Sequence, residues 1–234
     1  MPEPLWSKRA AKGWRARAVP AGLIGLALAS PGCALFALPA AMIQSAREVS
    51  TKTVRAEYEG LRGKSVAVVV ACEPLIESQQ PDLATHLATR ITERLIAEEN
   101  NTGVTGYVPS AEVLQYLYNH PGWAALTPKQ LGEEFGGVDC IVWVEMIEFR
   151  LNDPGNQYTW SGNATGSVAV YDLTSAAANE AAFRTSVGVR FPDQPGLGPE
   201  DMSSVVVRSA LAKRFIDRAT WPFYDHEEPY YPKY

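Results

Sequence analysis

Residues 138–151, VDCIVWVEMIEFRL, are the longest strand signal in the chain. The first half of this stretch is apolar at successive positions, so both of its faces must be covered and the strand belongs at the centre of a sheet. The second half alternates imperfectly, with Glu145, Ile147 and Phe149 set against Met146, Glu148 and Arg150.

The neighbours of this strand follow outward from it. Upstream, residues 65–71 (SVAVVVA), bounded by Gly63 and Pro74, read as a second buried strand. Residues 82–99 carry Leu83, Leu87, Ile91 and Leu95 at i+4 spacing, with Arg90, Glu93, Arg94 and Glu98 opposite, which predicts a helix lying on a sheet. Residues 104–108 predict a short strand. A helix follows, capped by Ser110, carrying Val113, Leu114, Leu117 and Tyr118, and stopping at Asn119-His120-Pro121. Thr127-Pro128-Lys129-Gln130 has the form of a capping box with proline at the first helical position, and that short helix ends at Gly136-Gly137.

Downstream, Asp153-Pro154-Gly155-Asn156 predicts a turn. Residues 158–173 predict a strand with Tyr158, Trp160, Ala164, Val168 and Val170 on one face. In residues 183–191, Phe183, Thr185, Val187, Val189 and Phe191 alternate with Arg184, Ser186, Gly188 and Arg190, so one face of that strand is wet. After a Pro/Gly loop, residues 200–219 predict a final helix with Val207, Leu211 and Phe215 inward, opened by acids and closed by Arg214 and Arg218. The expected order is β-α-β-α-α-β-β-β-α, an α/β (α+β) fold with a mixed β-sheet of about five strands and helices packed on it.

The ends of the chain have a different character. Lys8, Arg9, Lys12, Arg15 and Arg17 precede the uncharged run 18–32 (AVPAGLIGLALASPG), and Cys33 follows it. Basic residues followed by an apolar run of this length have the form of an export signal. The cysteine after Gly32 resembles the lipobox of bacterial lipoproteins, although Ser30 and Pro31 depart from the usual pattern. Lipidation at Cys33 is the leading reading. An uncleaved anchor, supported by the apolar residues 34–43, and ordinary cleavage stand beside it, and all three export the domain. The expected divisions are a signal peptide over 1–33, a membrane tether over 34–59, the α/β domain over 60–220 and an aromatic, acidic tail over 221–234 (WPFYDHEEPYYPKY). The tail rings Trp221, Phe223, Tyr224, Tyr230 and Tyr231 are candidates for docking, on the domain itself or on a partner. Cys72 and Cys140 read as small core residues, with a disulfide between them as the other option.

The search for chemistry returns little. The net charge of −5 gives no support to a nucleic-acid partner. Gly63-Lys64-Ser65 lacks the upstream glycine of a phosphate loop and precedes its strand instead of following it. His86, His120 and His226 show no metal-ligand spacing, and no serine sits in a nucleophile elbow. No catalytic, cofactor-binding or metal residue is expected. Glu145 and Glu148 are the suggestive carboxylates, and being three apart on a strand they are expected to face opposite sides.

Residues 57–64 (EYEGLRGK) leading into SVAVVV are similar to the domain entry of a group of bacterial envelope lipoproteins. Residues 162–174 (GNATGSVAVYDLT) resemble a glycine-bearing strand, ending in aspartate and a hairpin turn, of a wider set. That set comprises the curli-secretion lipoproteins, the lipoprotein activators of penicillin-binding proteins and the TolB amino-terminal domain. The resemblance implies a non-enzymatic, lipid-anchored accessory module on the periplasmic face of a bacterial membrane, which binds envelope proteins or self-associates. The alternatives are an enzyme with a cleft using Glu145 or Glu148, and a subunit of an oligomeric secretion pore built on the 158–191 hairpin.

Overall fold

The computed structural model describes residues 51–229; Cys33, Tyr230 and Tyr231 lie outside them. The elements in chain order are β1 (Thr51–Val54), β2 (Ser65–Cys72), α1 (Pro74–Gln79), α2 (Leu83–Ile96), β3 (Gly106–Tyr107), α3 (Ser110–Asn119), α4 (Pro128–Glu134), β4 (Cys140–Arg150), β5 (Gly162–Asp172), β6 (Ala181–Phe191), α5 (Ser204–Thr220) and β7 (His226–Pro229). A five-stranded sheet runs β3-β2-β4-β5-β6, and β1 and β7 form a separate two-stranded ribbon. The pairs β2–β3 and β2–β4 are parallel, while β4–β5 and β5–β6 are antiparallel, so the sheet is mixed and β4 is its middle strand.

One face of the sheet is fully covered. Val66, Val68 and Val70 of β2, Val142, Val144 and Met146 of β4, and Ala164, Val168 and Val170 of β5 pack beneath α2 and α5. Leu83, Leu87, Ile91 and Leu95 are buried as the i+4 spacing requires, and Val207, Leu211 and Phe215 supply the inward stripe of α5. Gly166 lets the backbone of β4 and the ring of Phe215 come close, because a Cβ there would collide with the carbonyl of Glu145. The second face is covered over only part of its extent, where Ala67, Val69 and Ile141 pack against Val113, Leu117 and Leu131 of α3 and α4, with Trp123, Trp143 and Tyr171 around them.

Several local expectations change. Pro74–Gln79, to which no element was assigned, is helical, with proline in its first turn. Ser110 is not a cap. It is the first residue of α3, and its hydroxyl lies 3.2 Å from that of Thr89, linking α2 to α3. Thr127 and Gln130 do form the capping box. The strand expected over 104–108 narrows to Gly106–Tyr107, and β5 begins at Gly162, leaving Tyr158 exposed. Glu200 and Asp201 precede α5 rather than opening it. Ser203 caps that helix by accepting from the Val206 amide, and Asp201 accepts from the Gly198 amide.

The expected boundary at residue 60 also moves. Thr51–Val54, assigned to the tether, pairs antiparallel with His226–Pro229 of the tail. The amides of Glu57 and Tyr58 both donate to the carbonyl of Pro222, at 2.8 and 2.9 Å. Entry and tail therefore hold each other. Both strands are polar and show no apolar alternation, which is why the hydrophobic pattern passes over them.

Candidate interaction surface

The outer face of β4 is where the expected geometry fails. Ordinary alternation would put Glu145 and Glu148 on opposite sides. The β4–β5 register, however, shifts between Met146 and Glu148, so Ile147 is the extra residue of a β-bulge. The bulge reverses the phase of the strand. Val142, Val144 and Met146 point inward before it and Phe149 points inward after it, leaving Glu145, Glu148 and Arg150 together on the outer face.

Beyond Trp143 and Tyr171 no helix among the described residues covers this face. Its rows follow from the register: Glu145, Ser167 and Ser186; then Glu148, Thr165 and Gly188; then Arg150, Asn163 and Arg190. Arg184 stands at the other end, opposite Ala169. The surface thus has an acidic column on β4, a column of short neutral side chains on β5, and a column on β6 in which Ser186 and Gly188 lie between two arginines. Ile147 is 47% exposed at the bulge. Strand β6 is also the last in the sheet order, so its outer backbone edge is unpaired by any described strand.

The charges on this face differ in how they are held. The Glu148 carboxylate accepts from Asn163 Nδ2 at 2.5 Å and is ion-paired with Arg150, whose Nε lies 2.5 Å away without making a hydrogen bond, and Arg150 donates to Asp153 at 2.7 Å. Glu145 accepts only a 3.4 Å bond from the Ser167 hydroxyl, and Arg184 donates to the Tyr171 hydroxyl at 3.2 Å. Arg184 forms no ion pair among the described residues, whereas Arg190 acts electrostatically on Asp153. The outer face thus carries both signs of charge.

The tail rings divide. Phe223 and Tyr224 are 3% and 5% exposed and belong to the main core. Phe223 packs against Tyr58 and Phe183, and the Tyr224 hydroxyl lies 3.0 Å from that of Thr220. Burial raises the Tyr224 hydroxyl above its usual pKa. These two rings pack within the domain itself. Trp221 is half-buried between the guanidinium of Arg218, 4.6 Å from its ring, and the stacked ring of His226, also 4.6 Å away.

The rejected motifs have structural roles. Lys64 donates to Asp172 at 2.6 Å, and Ser65 donates to Asp139 through both its amide and its hydroxyl at 2.8 Å. Those two Ser65 bonds hold the Asp139 carboxyl below its usual range. Burial works to raise the Asp172 carboxyl, but the bonds from Lys64 and Thr174 outweigh it and leave the group lowered. Cys72 and Cys140 are both free. The register sets Cys140 opposite Val66 and Cys72 opposite Met146. They are therefore six positions apart along adjacent strands, roughly 20 Å, far beyond the reach of a disulfide. Burial pushes the Cys72 thiol up to about 12 and the Cys140 thiol to about 11, so neither offers a thiolate near neutral pH. Among the described residues no group of three His, Cys, Asp or Glu could hold a metal ion, and no helix is long and apolar enough to cross a membrane.

Sequence reasoning named Arg184, Arg190 and both glutamates but did not bring them onto one surface. The signal for that was the broken alternation after Met146. Inward positions at 142, 144 and 146 followed by an apolar Phe149 require an extra residue.

No family model and no curated protein matches the chain. Solved structures similar in architecture include the lipoprotein GNA1162 of Neisseria meningitidis, 15% identical over 64% of this chain and 93% of its own, with a TM-score of 0.43. A PelC dodecamer of Paraburkholderia phytofirmans is 12% identical, covering 75% of this chain and 96% of its own, with a TM-score of 0.39. A hypothetical protein of Chlamydia trachomatis is 14% identical, covering 66% and 96%, with a TM-score of 0.37. The neighbours thus include a bacterial lipoprotein, at low identity.

Proposed function

We propose that this chain is a non-enzymatic accessory module of the bacterial envelope, held at a membrane surface through its N-terminal segment and acting by protein–protein interaction. The observation that carries the reading is the uncovered outer face of β4, β5 and β6. A sheet face left without a helix, ordered into acidic, neutral and basic columns and ending on an unpaired edge strand, has the form of a docking surface. The basic, apolar segment ending at Cys33 supports the location.

The pore reading has less support. The apolar face of the β5–β6 hairpin lies beneath α5, with Val187 and Val189 in the core, so the hairpin would have to leave its helix to line a membrane.

Photo-crosslinking in intact membranes tests the interaction reading. A crosslinker at Ser186 is expected to give discrete protein adducts, and one at Glu93 on the opposite helical layer is expected to give none. Failure to form any adduct at Ser186, with equal expression, would sink the proposal. Mass spectrometry of the mature N-terminus, with a Cys33→Ala variant, tests the anchor: an unmodified, uncleaved chain would refute lipidation.

A further inference from the structure

Resting on the reading of the open face as a docking surface, we infer that the partner enters at its free edge, as an extended acidic segment that adds an antiparallel strand to β6. The backbone of β6 supplies the template. In an antiparallel ladder the N–H and C=O of one residue point to the same side, and successive residues alternate. The Phe191 carbonyl points to β5, lying 2.6 Å from where a Cβ on Gly162 would stand. The Arg190 carbonyl points the other way and accepts from Arg214 Nη1. The register is regular from Phe183 to Phe191, so the backbone groups of Arg184, Ser186 and Gly188 also point outward. None of these three makes an outward backbone hydrogen bond among the described residues. Arg214 closes one end of the row, and the template before it stays open.

The edge forms one wall of a groove. Residues 185–188 line this wall, and Val54, Trp221, Pro222 and His226 line the other, around a volume of about 260 Å³. Paired strands lie about 5 Å apart, so a single extended chain fits beside β6 where the edge of a second sheet would meet the far wall.

Charge selects the entrant. Residues 181–191 hold two basic side chains, Arg184 and Arg190, and no acid. Both stand on the outer face, six residues apart, with Ser186 and Gly188 between them. An added strand sets its own side chains directly beside these, so two acids six residues apart would each face a guanidinium across the pair. Arg190 also acts on Asp153, whereas Arg184 has no ion pair among the described residues, so Arg184 contributes more. The acids of the groove, Glu57 and Glu228, belong to its far wall, and Glu228 is already paired with Arg218 and His226. The alternate residues of the entrant share the face of Val187 and Val189, which is the core face, and are therefore apolar.

The test is fluorescence anisotropy of the full chain in detergent with an eight-residue peptide probe. The probe carries glutamate at its first and seventh positions, serine at the third, threonine at the fifth and valine at the others. Saturable binding is expected, weakening in high salt. Lysine in place of both glutamates should weaken it by at least about tenfold, and Arg184→Glu by about tenfold. N-methylation of the serine and threonine amides, which face β6 in the antiparallel pair, should abolish it. Gly188→Pro should abolish it too, because it removes an outward N–H and no bond of the existing ladder. Where that variant does not fold, the N-methylated probe makes the same test on the wild-type chain. No saturable binding of the acidic probe, equal binding of the lysine probe, or indifference to N-methylation would each overturn the inference. So would a chain that dimerises in sedimentation and becomes monomeric on Gly188→Pro, since the edge would then belong to a second copy. Adducts from Ser186 that Gly188→Pro leaves unchanged would remove strand addition while the docking surface stands. Absence of any adduct from Ser186 removes the docking surface, and the inference with it.

Discussion

Strand β4 passes through two environments on a single face. Its outer positions near the start, Ile141 and Trp143, lie against the layer of α3 and α4, and Ile141 is fully buried. Its outer positions beyond the midpoint, Glu145, Glu148 and Arg150, have no helix above them among the described residues. The inner face of the same strand is apolar from Cys140 to Phe149 and lies throughout beneath α2 and α5. The difference shows how this chain builds a surface. The covered half is filled by side chains that would otherwise stand in water, and the open half carries groups whose charge needs water or a partner. The bulge at Ile147 joins the two patterns, because it keeps Phe149 inside while turning Glu148 outward.

Phe149→Asp is the most severe way to break that division. It puts an unpartnered carboxylate into the core where the bulge keeps Phe149, and with the lost aromatic contact it should cost more than about 4 kcal/mol and abolish the cooperative urea transition. A variant that unfolds with the wild-type midpoint would show that this end of β4 is not held in the core. Ile141→Ala probes the covered half directly. It leaves a cavity under α4 and should lower the urea-derived stability by about 2–4 kcal/mol.

A smaller effect is expected where the covered half meets its polar rim. Asp172→Asn removes the partner of Lys64 and should cost about 1 kcal/mol at neutral pH. The pH dependence follows from the two shifts. The Asp172 carboxyl is lowered in the folded chain, so its contribution is present above the ordinary carboxylate range of about 4 and is lost as pH falls through the folded value. The Lys64 ammonium is raised, chiefly by its bond to Asp172, so its contribution is present below the usual lysine value of about 10.4 and is lost as pH rises through the raised one. Wild type and variant should therefore differ steadily across the neutral range and converge in acid, which urea titrations at a series of pH values would follow. A gap that widens in acid would assign Asp172 a different role.

How far all this could be read in advance depended on whether burial leaves a pattern in the residue types. The double-sided apolar run of β4, the i+4 leucines of α2 and the clean alternation of β6 each record a buried face, and each element forms where that record places it. The strands β1 and β7 left none, since TKTV and HEEP are polar, and only long-range pairing makes them strands. The burial of Phe223 and Tyr224 is equally long-range: aromatics in a proline-rich tail suit self-docking and partner contact alike until the fold brings Tyr58 and Phe183 beside them. The open face was half legible. Arg184, Arg190, Glu145 and Glu148 stand out as charges on strands, but a one-residue bulge decides which side two of them occupy.

Glu145→Ala makes the mildest and most discriminating comparison with Ile141→Ala, since the two positions lie four residues apart on the same face of β4. The glutamate is exposed and receives only a long bond from Ser167. Its removal leaves no cavity and no buried unpaired group, so stability should change by less than about 0.5 kcal/mol. If the open face is a docking surface, the same substitution should still reduce the adducts formed by a crosslinker at Ser186, which shares a row with Glu145. Stability unchanged with crosslinking reduced would assign this half of the face to recognition. A loss of stability approaching that of Ile141→Ala would mean that Glu145 supports the fold as Ile141 does, and would remove the contrast between the two halves.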